Sequence, residues 1–388
     1  MESHQQMLEF PFLLLLAILA GFLVSTPLVW WLIRLGRRAS MLDSAGSDGH
    51  RKQLRAIPNI GGIGIFLGAI LPLVGGVAYL WLTVPPVSSE LPSTLDPTNA
   101  RILDQMGTWI AIIASCFVLH VMGVIDDRKA QPASLKLLLQ FLLGAMLVLL
   151  FDVRLLHVLD EFGSAGWITS CVLTILWLVV ITNAFNFLDN MDGLAAGVAT
   201  IAATVLMIAT TLNNQWFISL SLALLIGALL GFLIFNFPPA RVFMGDGGSL
   251  VIGWLLAIAT VRTTFVDTAD PGYALGSSWY GVFIPLVVLA VPLYDFTSVV
   301  VIRTLQGRSP FVGDQQHFSH RLVQRGLSPR RAVLVIWAIT LATGVNGIVL
   351  GSVSPAMAIL LALATLVLLA GLALLESGLA SSGEAADV

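Results

Sequence analysis

Charged side chains are scarce in this chain: 11% of its 388 residues, where a soluble domain carries about 25%. Cysteine is scarcer still. Cys116 and Cys171 both lie inside apolar runs, which excludes a disulfide framework and a cysteine-based metal site. A basic N-terminal flank is also missing, since Glu2 and Glu9 accompany the start of the first apolar run while Arg34, Arg37 and Arg38 follow it. That order is the reverse of a secretory leader, and the run is long enough to span a bilayer. The net charge of −3 says little about partners; the placement of the charges says more.

What the chain has instead is apolar length, with 57% of its residues drawn from AVILMFWYC. Runs near the ~20 residues a spanning helix needs recur at 10–33, 59–83, 107–125, 135–151, 167–185, 194–212, 216–235, 248–264, 280–302, 332–351 and 354–375. They predict an all-α polytopic membrane protein of about eleven transmembrane helices, with a tight hairpin at Asn213 and Asn214. Placing the N-terminus outside leaves only Arg101, Arg154 and Arg262 on that side, so the other sixteen of the 19 Lys and Arg face in. This bias sets the orientation and puts the C-terminus in the cytoplasm. Segment 84–106 reads as an irregular outer loop, residues 1–375 as one membrane domain, and 376–388 as a disordered tail.

With that topology, Asp126, Asp127, Asp189, Asp192 and Asp246 all fall at inner helix ends or in inner loops, within VIDDRK, NAFNFLDNMDGLAAG and RVFMGDGGS. Adjacent carboxylates such as Asp126 and Asp127 need a cation or basic partners to stay ionised. Magnesium suits such a set, because it takes one or two carboxylates and fills its shell with phosphates and water. Asn186, Asp189 and Asp192 follow at intervals of three, which would place them near one face of a helical turn. The glycines around Asp246 allow the close backbone approach that phosphate loops require. Arg51 and Lys52 precede a Pro/Gly turn, and His317, His320 and Arg321 form a second basic group suited to pyrophosphate. Arg34, Arg37, Arg38, Arg330 and Arg331 read as topogenic charge, and His4, His120 and His157 as ordinary packed residues.

Taken in order, RK…P..GG, DDRK, NAFN..D..DGLA.G, F.MGD.GS and H..HRL resemble the polyprenyl-phosphate N-acetylhexosamine-1-phosphate transferases, closest to the branch that uses UDP-N-acetylglucosamine. The resemblance covers nearly the whole chain. It implies transfer of an N-acetylhexosamine 1-phosphate from a UDP-sugar to a polyprenyl phosphate such as undecaprenyl phosphate. The products are a lipid diphosphate sugar and UMP, formed on the cytoplasmic side of the inner membrane. It assigns catalytic positions to Asp126, Asp127, Asp189, His317 and His320. Substrate contacts fall to Arg51, Lys52, Asp192, Arg321 and Phe243, the last stacking on uracil, and magnesium or manganese to Asn186 and Asp246. No nucleic-acid partner is implied, and a homodimer is compatible with it.

Three positions depart from the family pattern. Ser319 stands where H-x-H-H has its second histidine, Gln53-Leu54 where a histidine usually follows Arg-Lys, and Asn190-Met191 inside the D-G-x-D core. The sugar therefore stays open between N-acetylglucosamine, another hexosamine and a muramyl pentapeptide derivative, as does the question of which paired aspartate acts as a base. Two readings of other classes compete. A transporter would carry its charges near the midplane on broken helices, where this chain has only Asp295. A non-catalytic scaffold would not need intact Asp clusters.

Overall fold

The computed structural model describes residues 2–38, 57–83, 106–213, 215–263, 283–309, 316–350 and 353–378. In chain order its helices are α1 (Glu2–Arg38), α2 (Gly61–Thr83), α3 (Met106–Arg128), α4 (Ala133–Phe151), α5 (Gly163–Leu188), α6 (Leu194–Leu212) and α7 (Trp216–Asn236). Then come α8 (Asp246–Thr263), α9 (Ile284–Val288), α10 (Ala290–Leu305), α11 (Phe318–Gln324), α12 (Pro329–Leu350) and α13 (Pro355–Gly378). Among the described residues the protein is all-helical, apart from one isolated parallel bridge between Asn59 and Phe243.

Nine of these helices are long and apolar enough to cross a bilayer. The other two expected spans take different forms. Segment 248–264 is the 18-residue α8, whose apolar stretch is diluted by Asp246 and Arg262 near its ends. Its polar side chains are met by protein rather than lipid: Trp177 Nε1 donates to Thr260 Oγ1 at 2.9 Å. Segment 280–302 is divided into α9 and α10 at Leu289. Pro292 has no N–H for the carbonyl of Val288, and its ring crowds that carbonyl, so the helix breaks there. The expected hairpin stands, because α6 ends at Leu212 and α7 opens at Trp216. Most of the expected loop 84–106 lies outside the described residues. Helix α13 runs to Gly378, slightly into the segment expected to be a tail, and the rest of that tail also lies outside.

Helix α8 is the buried axis, packed between α3, α5 and α2, while α1 lies along α7. Trp254, at the middle of α8, is fully buried and donates its indole N–H to Ser115 Oγ at 2.8 Å. Lipid-type surface is left outside: Leu16, Leu19 and Leu23 on α1, Leu142 and Leu149 on α4, and Leu363 and Val367 on α13 are all exposed. Hydrogen bonds between the ends of α3, α5 and α7 and the starts of α2, α4, α6 and α8 show that the candidate residues gather at one end of the bundle.

Trp254→Ala removes the largest side chain of this axis. It should cost about 3–5 kcal/mol, read as a lower melting temperature of the detergent-solubilised protein. Trp254→Phe should lose much less.

Candidate active site

The frame of the site is backbone. Phe243 N donates to Pro58 O at 2.9 Å, and Gly61 N and Gly62 N donate to Phe243 O and Met244 O at 2.9 Å each. This ties the α7–α8 loop to the start of α2. Within that loop Val242 and Met244 are buried while Phe243 is half-buried, as alternating residues of an extended segment must be. Asp127, at the end of α3, closes the frame: Oδ1 accepts from Asp246 N at 2.9 Å and Oδ2 from Gly247 N at 3.2 Å. Asn59 Nδ2 adds a third bond to Oδ1 at 3.1 Å. Asp127 is therefore a capping group for α8 supplied by another helix. Two glycines permit the approach. A Cβ on Gly123 would lie 2.5 Å from the Asp246 backbone, and Gly245 holds φ +72° with Asp127 Oδ2 where its Cβ would point.

Against this frame the reactive groups converge. Lys136 Nζ lies 2.8 Å from Asp126 Oδ2 and 3.2 Å from Asp246 Oδ2, bridging the two carboxylates. Asp126 Oδ1 accepts from Gln131 N at 2.6 Å, which fixes the α3–α4 turn. Asn186 Nδ2 donates to Asp246 Oδ1 at 2.9 Å and to Ser249 Oγ at 3.0 Å. One turn deeper, Asn183 donates to Gln140 Oε1 at 2.6 Å, so polar groups line the facing sides of α4 and α5. Two carboxylates among the described residues, Asp126 and Asp246, thus share the Lys136 ammonium. Among the described residues no three His, Cys, Asp or Glu side chains form a closed metal cage. The donor set is an open one.

The second half of the site lies around the α5–α6 turn. Asp189 caps the end of α5, Asp192 Oδ2 accepts from Ala240 N at 2.9 Å, and Gly193 N donates to Asn236 Oδ1 at 2.8 Å. The expected single helical face through Asn186, Asp189 and Asp192 is not formed. The helix stops at Leu188, and Gly193 turns at φ +75° into α6. The histidine loop packs beside this turn. His317 Nδ1 lies 2.9 Å from Asp295 Oδ2, and its ring meets Phe187 edge-on at 6.0 Å and His320 at 6.5 Å. Ser319 Oγ donates to Asn190 Oδ1 at 2.5 Å, so two of the departures from the family pattern are bonded to each other. Arg321 donates to Gln316 O and, at 3.0 Å, to Ser298 Oγ, which fastens the loop to α10.

The structure thus brings Asp126, Asp127, Asn186 and Asp246 into one hydrogen-bonded group and gathers His317, His320 and Arg321 against the α5–α6 turn. Arg51 and Lys52 lie outside the described residues. Sequence reading missed Lys136, counting it only among the inward-facing basic residues, although its place one helix start after the paired aspartates was a usable signal. It also missed Asn59, hidden in a Pro-Asn turn. His120 is the packed residue expected: it is buried, its ring stacks on Phe66 at 4.3 Å, and its Nδ1 lies 2.8 Å from Gly247 O, which ties it to the glycine turn.

These features define a multi-pass helical membrane protein with an open acidic site, bridged by a lysine, at one end of the bundle. The family model described as glycosyl transferase family 4 matches residues 109–264, the stretch that holds Asp126, Lys136, Asn186 and Asp246. A probable undecaprenyl-phosphate N-acetylglucosaminyl 1-phosphate transferase of Bacillus subtilis is 30% identical over 87% of this chain and 86% of its own length. The decaprenyl-phosphate N-acetylglucosaminephosphotransferase of Mycobacterium tuberculosis is 33% identical over 72% of this chain and 69% of its own. A phospho-N-acetylmuramoyl-pentapeptide-transferase of Levilactobacillus brevis is 30% identical over 86% and 97%. The chain belongs to glycosyl transferase family 4, among polyprenyl-phosphate sugar phosphotransferases.

The paired aspartates should separate by what they hold. Asp127→Ala strips the cap from α8 and should destabilise the protein by about 1–3 kcal/mol. Asp126→Asn keeps the turn bond to Gln131 and should leave the melting temperature nearly unchanged. Equal melting temperatures for the two variants would contradict the capping role.

Proposed function

We propose that the protein transfers an N-acetylhexosamine 1-phosphate, with N-acetylglucosamine 1-phosphate as the first candidate, from a UDP-sugar to a polyprenyl phosphate. The reaction yields the lipid diphosphate sugar and UMP at the cytoplasmic face of the plasma membrane. The observation that carries this reading is the Asp126–Lys136–Asp246–Asn186 group, set where α3, α4, α5 and α8 meet at one end of the bundle. The named activities of the relatives give the lipid and sugar classes. The sidedness rests on the basic residues at that same end, including Arg128, Lys136, Arg241, Arg303 and Arg330.

A lipid phosphate oxygen attacks the β-phosphorus of the sugar nucleotide. The new P–O bond forms as the bond from that phosphorus to the bridging oxygen breaks, and UMP leaves with the oxygen and its charge. A phosphate monoester has a second pKa of about 6 and is largely ionised at neutral pH. Positioning and charge neutralisation therefore matter more than proton removal. Asp126 is oriented by Lys136 and Gln131 N, and the Lys136 ammonium offsets the charge where two anionic substrates meet. His320 and Arg321 contribute donors on the sugar-diphosphate side, His317 presents its imidazole there, and Asp189 and Asp192 line the nucleotide side. Phe243, half-buried beside Asn59, offers a face to uracil.

Among the described residues the donor set fits a hard cation: a carboxylate met by side chains, an amide beside it, and two carboxylates on one lysine. Asn186 and Asp246 would hold magnesium, with manganese as the alternative, and the bound ion supplies charge neutralisation to the diphosphate.

UMP release from UDP-N-acetylglucosamine and undecaprenyl phosphate, with mass analysis of the lipid product over a panel of UDP-sugars, tests the assignment. Transfer of the muramyl pentapeptide donor alone would replace the first candidate with the second. Activity should vanish in excess EDTA and return with Mg2+, and Asp246→Asn should be nearly inactive while still inserting in the membrane. Phe243→Ala should raise KM for the UDP-sugar by the equivalent of about 1–3 kcal/mol with little change in KM for the lipid.

A further inference from the structure

Asp295 is the deepest acid of the described structure and takes no part in the acidic cluster. It lies on α10, three residues beyond the proline that breaks the preceding span, and its side chain is 1% exposed. Such a group is costly to bury unless its acceptors are used. Both are: Oδ1 accepts from Phe318 N at 2.6 Å, and Oδ2 lies 2.9 Å from His317 Nδ1. A carboxylate has no hydrogen to give, so His317 must be the donor, through Nδ1–H. The proton is thereby assigned and Nε2 is left as the other ring position. The ring is further restrained by the edge of Phe187. The loop itself cannot turn away, because Arg321 fastens it to Ser298 on the same helix and Ser319 fastens it to Asn190 on the α5–α6 turn.

From this geometry we infer that Asp295 is a positioning residue, which holds His317 in the Nδ1–H tautomer so that Nε2 is presented to the diphosphate of the sugar nucleotide. The inference rests on the proposed role of His317 in the transfer. Asp295 acts through the imidazole and the Phe318 N–H, and touches neither substrate. With Nδ1–H directed at Asp295, a neutral Nε2 can accept from a hydroxyl or amide N–H of the sugar, and a protonated one can donate to the diphosphate oxygens. The opposite tautomer would lose the bond to Asp295 and reverse the neutral ring's polarity at the substrate.

An asparagine at 295 separates this role from simple packing. Asn fills the same volume and can still accept from Phe318 N through its oxygen. It turns an amide N–H₂ toward Nδ1, which favours the Nε2–H tautomer. A packing role predicts that Asp295→Asn is milder than Asp295→Ala. The tautomer role predicts that Asp295→Asn is at least as damaging in kcat.

The test uses the full-length purified protein with UDP-N-acetylglucosamine and undecaprenyl phosphate, reading UMP release and melting temperature for Asp295→Asn, Asp295→Ala, His317→Ala and the Asp295→Asn/His317→Ala double variant. Asp295→Asn should lower kcat by roughly 10–100-fold, with KM for the UDP-sugar nearly unchanged, and the double variant should be no slower than His317→Ala alone. Wild-type activity in Asp295→Asn, or losses that multiply in the double variant, would overturn the inference. Full activity in His317→Ala would remove the role of His317 on which it rests, leaving the transferase assignment to the acidic cluster. Nitrogen chemical shifts of His317 in the wild-type protein give a reading that needs no variant: an Nδ1–H ring is expected, and an Nε2–H ring would refute the tautomer assignment.

Discussion

The bonds from Asp127 to the first two backbone N–H groups of α8 govern where everything else in the site can be. A helix start inside a bundle leaves N–H groups that water cannot reach freely, and orphans there are expensive. Asp127 meets that need from the end of α3. The same placement is unfavourable in its own helix, since a negative charge at a C-terminus opposes the dipole. The start of α8 supplies the compensating positive end, so each helix terminus supports the other. Gly123 lets the two backbones close to the distance this requires. Once α8 is set, Asp246 has a fixed direction, and Asn186 and Lys136 reach it from α5 and α4.

Much of this was readable from the chain. Long apolar runs and the gathering of Lys and Arg in alternate gaps between them need no tertiary information, and the aspartates announced themselves by sitting at helix ends among glycines. What escaped did so for identifiable reasons. Lys136 opens an apolar run and carries the charge that topology alone would put there, so its bridge between Asp126 and Asp246 leaves no separate mark. The three-residue spacing of Asn186, Asp189 and Asp192 suggested a helical face, yet the helix ends at Leu188 and the later two residues belong to a turn. Spacing predicts a shared face only while the helix continues. The expected span at 280–302 comes as two helices for a related reason: hydropathy sees apolar residues on both sides of Pro292 but not the hydrogen bond the proline removes.

The polar residues of α4 and α5 show how far the site reaches into the bundle. Lys136 and Gln140 are four apart on one helix, Asn183 and Asn186 three apart on the other, and each pair lies on one face. Cross-bonds join Asn183 to Gln140 and Asn186 to the Asp246 that Lys136 also meets. The Asn183–Gln140 bond, formed where water is scarce, ties α4 to α5 in register. The charged groups then sit one turn nearer the bundle end.

Five of the described aspartates divide by the kind of partner each one holds, and under the proposed reaction that division bears on which of them take part in it. Asp127, Asp192 and Asp295 each accept a backbone N–H from an element far along the chain: Asp246 and Gly247, Ala240, and Phe318. A carboxylate engaged in that way fixes a loop and would release it if it moved. Asp126 accepts only the nearby Gln131 N from the backbone, and Asp246 meets the side chains of Asn186 and Lys136. Side-chain partners can rearrange around an arriving phosphate without unmaking the fold. The groups free to exchange partners are therefore Asp126 and Asp246, with Lys136 between them. The positional stiffness that lets them do so comes from three neighbouring carboxylates of the same type, used for structure.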